Sequence, residues 1–484
     1  MKTRAETREE TRGEVSHCLC VDLDGTLIKT DTMLESVLVV IRAKPLQFFR
    51  ILFWACRGKA RFKQELGHSA LVHPQALPYA RPVVDYIESE WKRGRKLFLV
   101  TGADASIAIP VAEHLGFFSE VICSNGRENV TGSAKLQAIR RVLGQEDFGY
   151  LGNSRDDLPV WKAAKSAVIA GASTRLRKKV EGFGVMIERE IPGPRFSLRT
   201  IAKAMRVHQW MKNVLVLLPV FLGHHLLERG TVLNATRAFF AFSFCASAIY
   251  LINDLLDLPS DRKHPEKRLR PLAAGDLSIS TAVILATILL VGAAVLNPTR
   301  EAGFLLALYS ASAVAYSLYL KRLLMVDVIM LAGFYTLRLL YGGAGTRIGV
   351  SLWTLAFSIF MFLSLALIKR ISELRLRSSE EGLASSGRDY QLADLAQLTA
   401  LCAASGCVAA LVFILYVRSP EVLPLYSRPQ LLLGIFPLLV YWQSRLLILA
   451  NRGTIREDPI MFSLYDRASQ AVALAILVIV LAAI

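Results

Sequence analysis

The sequence predicts a chain of two parts: an amino-terminal open α/β domain with a helical cap, then an all-α domain of about nine transmembrane helices. Three observations point there. In the first 190 positions, short apolar strands each run into polar or acidic residues, as in an open sheet whose crevice lies at the carboxyl ends of its strands. From position 206 onward, long apolar runs alternate with clusters of Lys and Arg. Hydrophobic residues make up 53% of 484 positions, too many for one soluble domain of this length.

The formal net charge is +17, but the cations gather beside apolar runs, which favours anionic lipid and phosphorylated substrates over nucleic acid. No nucleic-acid motif is present. The cysteines Cys18, Cys20, Cys56, Cys123, Cys245, Cys402 and Cys407 lack the paired spacing of a zinc or disulfide framework. Cys18 and Cys20 alternate on a strand and read as core. Residues 1–15 are charged, contain no apolar signal segment and are expected to form a disordered arm.

The α/β domain is assigned to residues 16–190. A strand from His17 runs into Asp22-Leu-Asp24-Gly-Thr, so two carboxylates at i and i+2 fall at a strand end. Lys96 to Gly102 is a second strand, ending in the hydroxyl of Thr101. Lys135 begins a helical segment, and Phe148 to Gly152 is a third strand, followed by Asn153-Ser-Arg-Asp-Asp157-Leu-Pro. This order resembles the haloacid dehalogenase (HAD) superfamily in its phosphatase form, with a Rossmann-like sheet. The resemblance implies Asp22 as nucleophile and Asp24 as acid and then base. It implies that Thr101 and Lys135 hold the transferring phosphoryl group, and that Asp22, Asp24, Asn153 and Asp157 serve a Mg²⁺ ion. Asn153 stands where the family motif has an aspartate, so one negative charge is missing. Residues 32–90 have the helical pattern of a cap. Within them Leu34 to Cys56 is apolar but interrupted by Arg42, Lys44, Pro45 and Arg50, which excludes a span. It reads either as an amphipathic helix packed within the cap or as a membrane-facing one. Ala167 to Glu190 supplies closing strands and a basic helix, and residues 191–205 form a linker with an interfacial helix.

The membrane part, residues 206–484, is organised around Asn253 to Gly275, where an apolar run ends in acid. On a continuous helix Asp254, Asp257 and Asp261 share one face, with Asn253 at its margin. Pro259 disfavours helix at Leu258, which instead leaves Asp261 on a loop. Clustered carboxylates repel unless a cation joins them, and hard oxygen ligands favour Mg²⁺ with a diphosphate. Lys263, Lys267, Arg268 and Arg270 follow, as donors for phosphate oxygens.

The pattern N-D-x-x-D-x-x-x-D followed by R-P resembles the first aspartate-rich motif of the UbiA superfamily of intramembrane prenyltransferases. The longer form D-R-x-H-P-x-K-x-x-R-P-x-A-x-G resembles its decaprenyl-phosphate phosphoribosyltransferase branch, which joins a polyprenyl phosphate to phosphoribosyl diphosphate. Arg206-Val-His-Gln-Trp-Met-Lys-Asn213 resembles a further motif, with Val207 at a position usually held by proline; a substrate role for Gln209, Lys212 and Asn213 follows. Tyr316 to Asp327 resembles a third motif, implying that Tyr316, Lys321 and Asp327 contact a phosphorylated sugar.

Spans are expected near 214–227, 235–252, 278–297, 302–320, 324–342, 353–369, 394–417, 430–449 and 469–484. Lys and Arg concentrate before the first span and after the second, fourth, sixth and eighth. The positive-inside rule then puts the α/β domain and the aspartate-rich loop on the cytoplasmic side of a bacterial inner membrane, and the carboxyl terminus outside. Arg338 falls roughly 20 Å along a span. It faces either an anionic substrate group or an internal acid. Lys369, Arg370 and Glu373 read as either interface anchors or substrate contacts, and Asp458 and Asp466 have no assigned role.

The reaction so implied is Mg²⁺-assisted transfer of 5-phosphoribosyl to a polyprenyl phosphate, with the HAD-like domain removing the product's 5-phosphate. Prenyl transfer from a prenyl diphosphate to an aromatic acceptor is the alternative within enzymes. A transporter or a membrane-anchored regulatory phosphatase is the alternative outside this class.

Overall fold

The computed structural model describes residues 17–43, 48–55, 59–70, 72–193, 197–379, 389–420, 422, 424–456 and 458–484. The amino-terminal arm, Lys44, Pro45, Cys56, residues 194–196 and Arg388 lie outside them. The chain divides into two compact units, one of residues up to Met205 with Leu251–Ile284, the other of Arg206–Tyr250 with Leu285–Ile484.

In the first unit, β1 (Cys18–Val21), β2 (Leu97–Asp104), β3 (Glu120–Ser124), β4 (Phe148–Gly152), β5 (Ser166–Ala170) and β6 (Met186–Ile191) form one sheet, parallel at every pairing. Their order is β3-β2-β1-β4-β5-β6. The order reverses between β1 and β4, and the crevice at that switch point is where open α/β sheets bind ligands. Alternation along β1 sends Leu19 and Val21 into one buried layer and Cys18 and Cys20 into the other, beside Tyr150 and Trp161. The two cysteines are core residues, as their spacing implies. Between β1 and β2 lie α1 (Thr32–Ala43), α2 (Phe48–Ala55) and α3 (Lys59–Ser69), the helical cap. Val40, Ile51, Trp54 and Leu66 bury one another there, so the apolar run serves the packing of the cap.

Asn253 to Gly275, expected within the membrane part, groups with the α/β domain. Ion pairs are among the contacts that tie it there. Arg262 clasps Glu35 of α1 at 2.6 and 3.0 Å, with both side chains buried, and Lys29 reaches Asp276 at 3.1 Å.

Among the described residues seven helices have the length and composition of spans: Arg229–Leu256, Ile279–Leu296, Arg300–Leu318, Val326–Thr346, Leu352–Leu376, Leu392–Val417 and Pro429–Asn451. The pair Pro459–Tyr465 and Arg467–Ala483, bent by 84°, makes an eighth if it is one span. Nine spans are not found among the described residues, and the first departure is at 214–227. There a 3₁₀ stretch, Val207–Leu217, passes into a five-residue helix, Leu218–Leu222, and turns at Gly223 and at His224, whose φ is +58°. Val207–Leu222 has fewer residues than a spanning α-helix.

Candidate functional site

The first unit holds a cavity of about 790 Å³ at the carboxyl ends of β1 and β4, lined by Asp22, Asp24, Lys135 and Asn153, by the cap, and by Ser278, Ile279 and Ser280. Gly25, with φ +73°, lets the chain after β1 turn against Asn153, whose amide occupies the space a Cβ would take. Asp22 accepts from Lys135 Nζ at 2.7 Å and from Thr26 Oγ1 at 3.0 Å. Asp24 accepts from the backbone N–H and the hydroxyl of Thr32, at the start of the cap, at 2.8 and 3.2 Å. Burial pushes Asp22 up to about 6 against the pull of Lys135. Burial and the nearby charge of Asp31 push Asp24 up to about 7. The ammonium of Lys135 beside Asp22 favours its anion, a setting suited to a nucleophile.

Two expected residues are used differently. Thr101 is fully buried and its hydroxyl accepts from the N–H of Ala103 at 3.0 Å. Asp157, expected as a metal ligand, accepts five hydrogen bonds. Its Oδ1 takes Lys135 and Tyr150 at 3.1 and 2.6 Å, and its Oδ2 takes Asn153 N, Ser154 N and Ser154 Oγ at 3.0–3.1 Å. Among these donors is Lys135, which Asp157 helps to position. Asp22, Asp24 and Asn153 line the cavity and carry oxygen donors of the kind a hard divalent cation takes.

The aspartate-rich stretch also belongs to the first unit. Its helix stops at Leu256 and a new one, Leu258–Lys263, starts with Pro259 in its first turn, where proline is tolerated. The single face expected for three carboxylates is therefore broken at Asp257, which turns to Arg42 of α1 at 3.5 Å. Asp254 and Asp261 still converge, both accepting from Nη1 of Arg270, at 3.1 and 2.5 Å. Beside them the buried Oδ1 of Asn253 has no hydrogen-bond partner. Two carboxylates meeting on one cationic point, with an orphaned amide oxygen, are a donor set that fits a hard divalent cation. Lys263 and Lys267 lie on the same connection as Arg270, and Arg268 bonds the carbonyl of Pro265 at 3.1 Å.

In the second unit, Gly342 lets the backbone of Val216 pack directly on the helix Val326–Thr346, because a Cβ there would overlap the Val216 carbonyl. That approach brings Asn213 to Arg338, one turn before Gly342. Asn213 Oδ1 accepts from Arg338 Nε at 2.9 Å, and its amide donates to Ser243 at 3.0 Å. The Arg338 guanidinium lies 5.0–5.4 Å from the ring centres of Phe242, Tyr309 and Tyr335, a cation–π box. Among the described residues no acid pairs with it, so the internal ion pair considered for Arg338 is absent there. Lys212 meets Asp458 at 2.8 Å, and Lys369 joins the same oxygen at 3.3 Å. Burial works to raise Asp458, but Lys369 and Lys212 hold it down at about 2.

Asp327, expected at a sugar, is fully buried and held by Arg370 at 2.6 Å and by Tyr390. Arg370 also binds Glu373, so this expected substrate contact is an internal ionic knot. Tyr316 packs edge-on to Phe334, and Lys321 and Gln209 are half-buried. Asp466 caps the last helix through Ser469 and clasps Arg445 at 2.7 and 2.9 Å. The pairing of Asp458 with Lys212 had no local signal, since 246 positions separate them.

Comparison with known proteins adds kinship to this geometry. The family model described as the UbiA prenyltransferase family matches residues 216–462. A protein of Sinorhizobium fredii, called uncharacterized protein y4nM, is 35% identical over 93% of this chain and 88% of its own length. Nodulation protein NoeC of Azorhizobium caulinodans is 32% identical over 56% of this chain and 88% of that protein. The decaprenyl-phosphate phosphoribosyltransferase of Mycobacterium tuberculosis is 38% identical over 36% of this chain and 60% of that protein.

Proposed function

Since the chain belongs to the UbiA prenyltransferase family and is a membrane enzyme of that class, we propose that it transfers 5-phosphoribosyl from phosphoribosyl diphosphate to a polyprenyl phosphate. The observation that carries this reading is the convergence of Asp254 and Asp261 on Arg270, beside the orphaned Asn253 oxygen, in a loop that also bears Lys263 and Lys267. Paired carboxylates followed by cations suit a metal-bound diphosphate. The name of the mycobacterial relative supports the choice of phosphoribosyl donor.

Mg²⁺ bound by Asp254, Asp261 and Asn253 would neutralise diphosphate oxygens and favour their departure. Arg270, Lys263 and Lys267 donate to the oxygens that remain, stabilising charge as the bond from C1 of the ribose to the diphosphate breaks. An oxygen of the lipid phosphate forms the new bond to C1. In the second unit, Lys212, Arg338 and Asn213 bind anionic substrate groups, and Gln209, Tyr316 and Lys321 complete the substrate contacts. Asp327 supports Arg370.

The product carries a phosphomonoester on its ribose, and the α/β crevice is suited to remove it. Asp22 attacks phosphorus as the bond to the ribose oxygen breaks, Asp24 protonates that oxygen and then activates the water that frees phosphate from Asp22, and Lys135 balances the charge of the phosphoryl group. The clustering of Lys and Arg in alternate loops supports a bacterial inner-membrane location with both sites on the cytoplasmic face.

The test uses purified full-length protein with Mg²⁺, a polyprenyl phosphate and radiolabelled phosphoribosyl diphosphate, beside Asp254→Ala. Label entering the lipid phase only with Asp254 present is the expected result, and the phosphate content of that lipid reports on the crevice. Absence of label, with prenyl diphosphate consumed in the presence of an aromatic acceptor, would overturn the reading.

A further inference from the structure

The cluster around Asp458 carries a surplus of charge. Lys212 and Lys369 share Oδ2 of Asp458, with side-chain exposures of 11%, 30% and 13%. Arg338, 5% exposed, is tied to this cluster twice. It bonds Asn213, the neighbour of Lys212, and it stacks on Tyr335, which lines a water-sized cavity of about 10 Å³ together with Lys369 and Asp458. Among the described residues, no carboxylate other than Asp458 pairs with any of the three cations. Three positive charges less one negative leaves two.

Buried charge without compensation is costly, so the cluster favours a guest that brings two negative charges. A phosphomonoester, whose second pKa is about 6, brings close to that at neutral pH. A carboxylate or phosphodiester brings one, and a diphosphate brings more than two. The arrangement also contains its own exchange partner. Oδ1 of Asp458 is fixed by the N–H of Ile460 at 3.2 Å, at the start of the helix Pro459–Tyr465, while Oδ2 faces the lysines. The lysines can leave Oδ2 without uncapping that helix. With its acidity held at about 2, Asp458 yields them by displacement and not by taking a proton.

We propose that Lys212, Lys369 and Arg338 form the headgroup site for a dianionic phosphomonoester, the phosphate of the lipid acceptor, and that Asp458 is the exchangeable counter-ion that holds the lysines until it binds. The assignment rests on the acceptor being a polyprenyl phosphate, as proposed above. Lys369 and Asp458 then become residues that select a phosphate acceptor over an alcohol or a diphosphate.

The experiment is direct binding to the purified full-length protein, titrated separately with a polyprenyl phosphate, the corresponding polyprenyl alcohol, inorganic phosphate and phosphoribosyl diphosphate. Lys369→Gln should weaken the polyprenyl phosphate by roughly tenfold or more, as loss of a hydrogen bond to a charged group does. Phosphoribosyl diphosphate binding should be unchanged, and Lys369→Arg should restore most of the lipid affinity. Asp458→Asn should tighten the lipid phosphate, because the competing anion is gone; a merely structural ion pair predicts weaker binding. Inorganic phosphate that displaces the lipid from the wild type but not from Lys369→Gln would assign recognition to the headgroup. Should Asp458→Asn fail to fold, the two Lys369 variants decide. Polyprenyl phosphate bound by the wild type and by Lys369→Gln alike would overturn the headgroup site alone. No polyprenyl phosphate bound by the wild type would overturn the acceptor assignment, and with it the proposed function.

Discussion

The ion pair of Glu35 and Arg262 is the most deeply buried of the ionic contacts by which the cap holds the aspartate-rich stretch; Arg42 adds a more exposed one to Asp257. The two side chains are 3% and 7% exposed, and the pair is bidentate at 2.6 and 3.0 Å. Thr30 adds a hydrogen bond to Glu35 at 2.7 Å, and Arg262 Nε reaches the carbonyl of Ala273 at 3.2 Å. Removing one partner leaves a buried charge alone, which costs about 3–5 kcal/mol. At the lower end this raises the population of locally opened loop roughly a hundredfold. Glu35→Leu or Arg262→Met alone should therefore speed hydrogen exchange across residues 258–276 by that order in the full-length protein. The double variant should recover most of the protection, because apolar groups of similar volume can replace a buried pair at little cost. Single variants with less than about a threefold effect, or a double variant whose loss is the sum of the two, would refute the coupling.

The amino-terminal edge of β1 and β6 should be sensitive to acid. His17 lies 3.3 Å from Glu188, which Arg95 clasps at 2.8 and 3.1 Å. Burial and the Arg95 charge lower His17 from its usual 6.5, so the unfolded chain takes up that proton first and stability begins to fall below about pH 6.5. Burial works to raise Glu188, but its bonds to Arg95 leave it below its usual 4.5, so a second loss follows as pH drops through that range. Calorimetry across this interval should show both stages in the wild type, and the first should vanish in His17→Gln; a pH-independent unfolding temperature would contradict this. In the crevice, Asn153→Asp restores a carboxylate beside Asp22 and Asp24 and should lower the Mg²⁺ concentration needed for p-nitrophenyl phosphate hydrolysis roughly tenfold, since ligand charge tunes hard-cation affinity. An unchanged Mg²⁺ dependence would remove residue 153 from the cation site.

Much of the architecture was legible because its signals are local. Strands that end in acid and a cationic connection after an apolar run both follow from neighbouring residues, and both coincide with structural features. Asp22 and Asp24 do line the crevice at the sheet's switch point. Failures arose where a local rule met a competing constraint. A helical wheel puts Asp257 with Asp254 and Asp261, but the helix is interrupted there, and the partner that takes Asp257, Arg42, lies in the cap. The five hydrogen bonds of Asp157, which fits a ligand motif in sequence, become visible only once the turn after β4 is folded. The first expected span is apolar enough to cross, but Pro219 and the turn at Gly223 and His224 divide it.

Arg338 separates what a sequence can say about charge from what a fold does with it. Its depth within a span already implies that it cannot face lipid. What it faces depends on residues 125 positions away, since Asn213 supplies an oxygen and no charge, and three aromatic rings supply a face of negative potential without an anion. Such an environment can retain a guanidinium while leaving its charge open to a ligand. An acid in the place of Asn213 would neutralise it internally and leave nothing to attract a phosphate. The same logic distinguishes Arg370, whose acids Asp327 and Glu373 neutralise it, from Arg338, which has none among the described residues. Of these two deeply buried arginines, Arg338 is the one whose charge no carboxylate among the described residues meets.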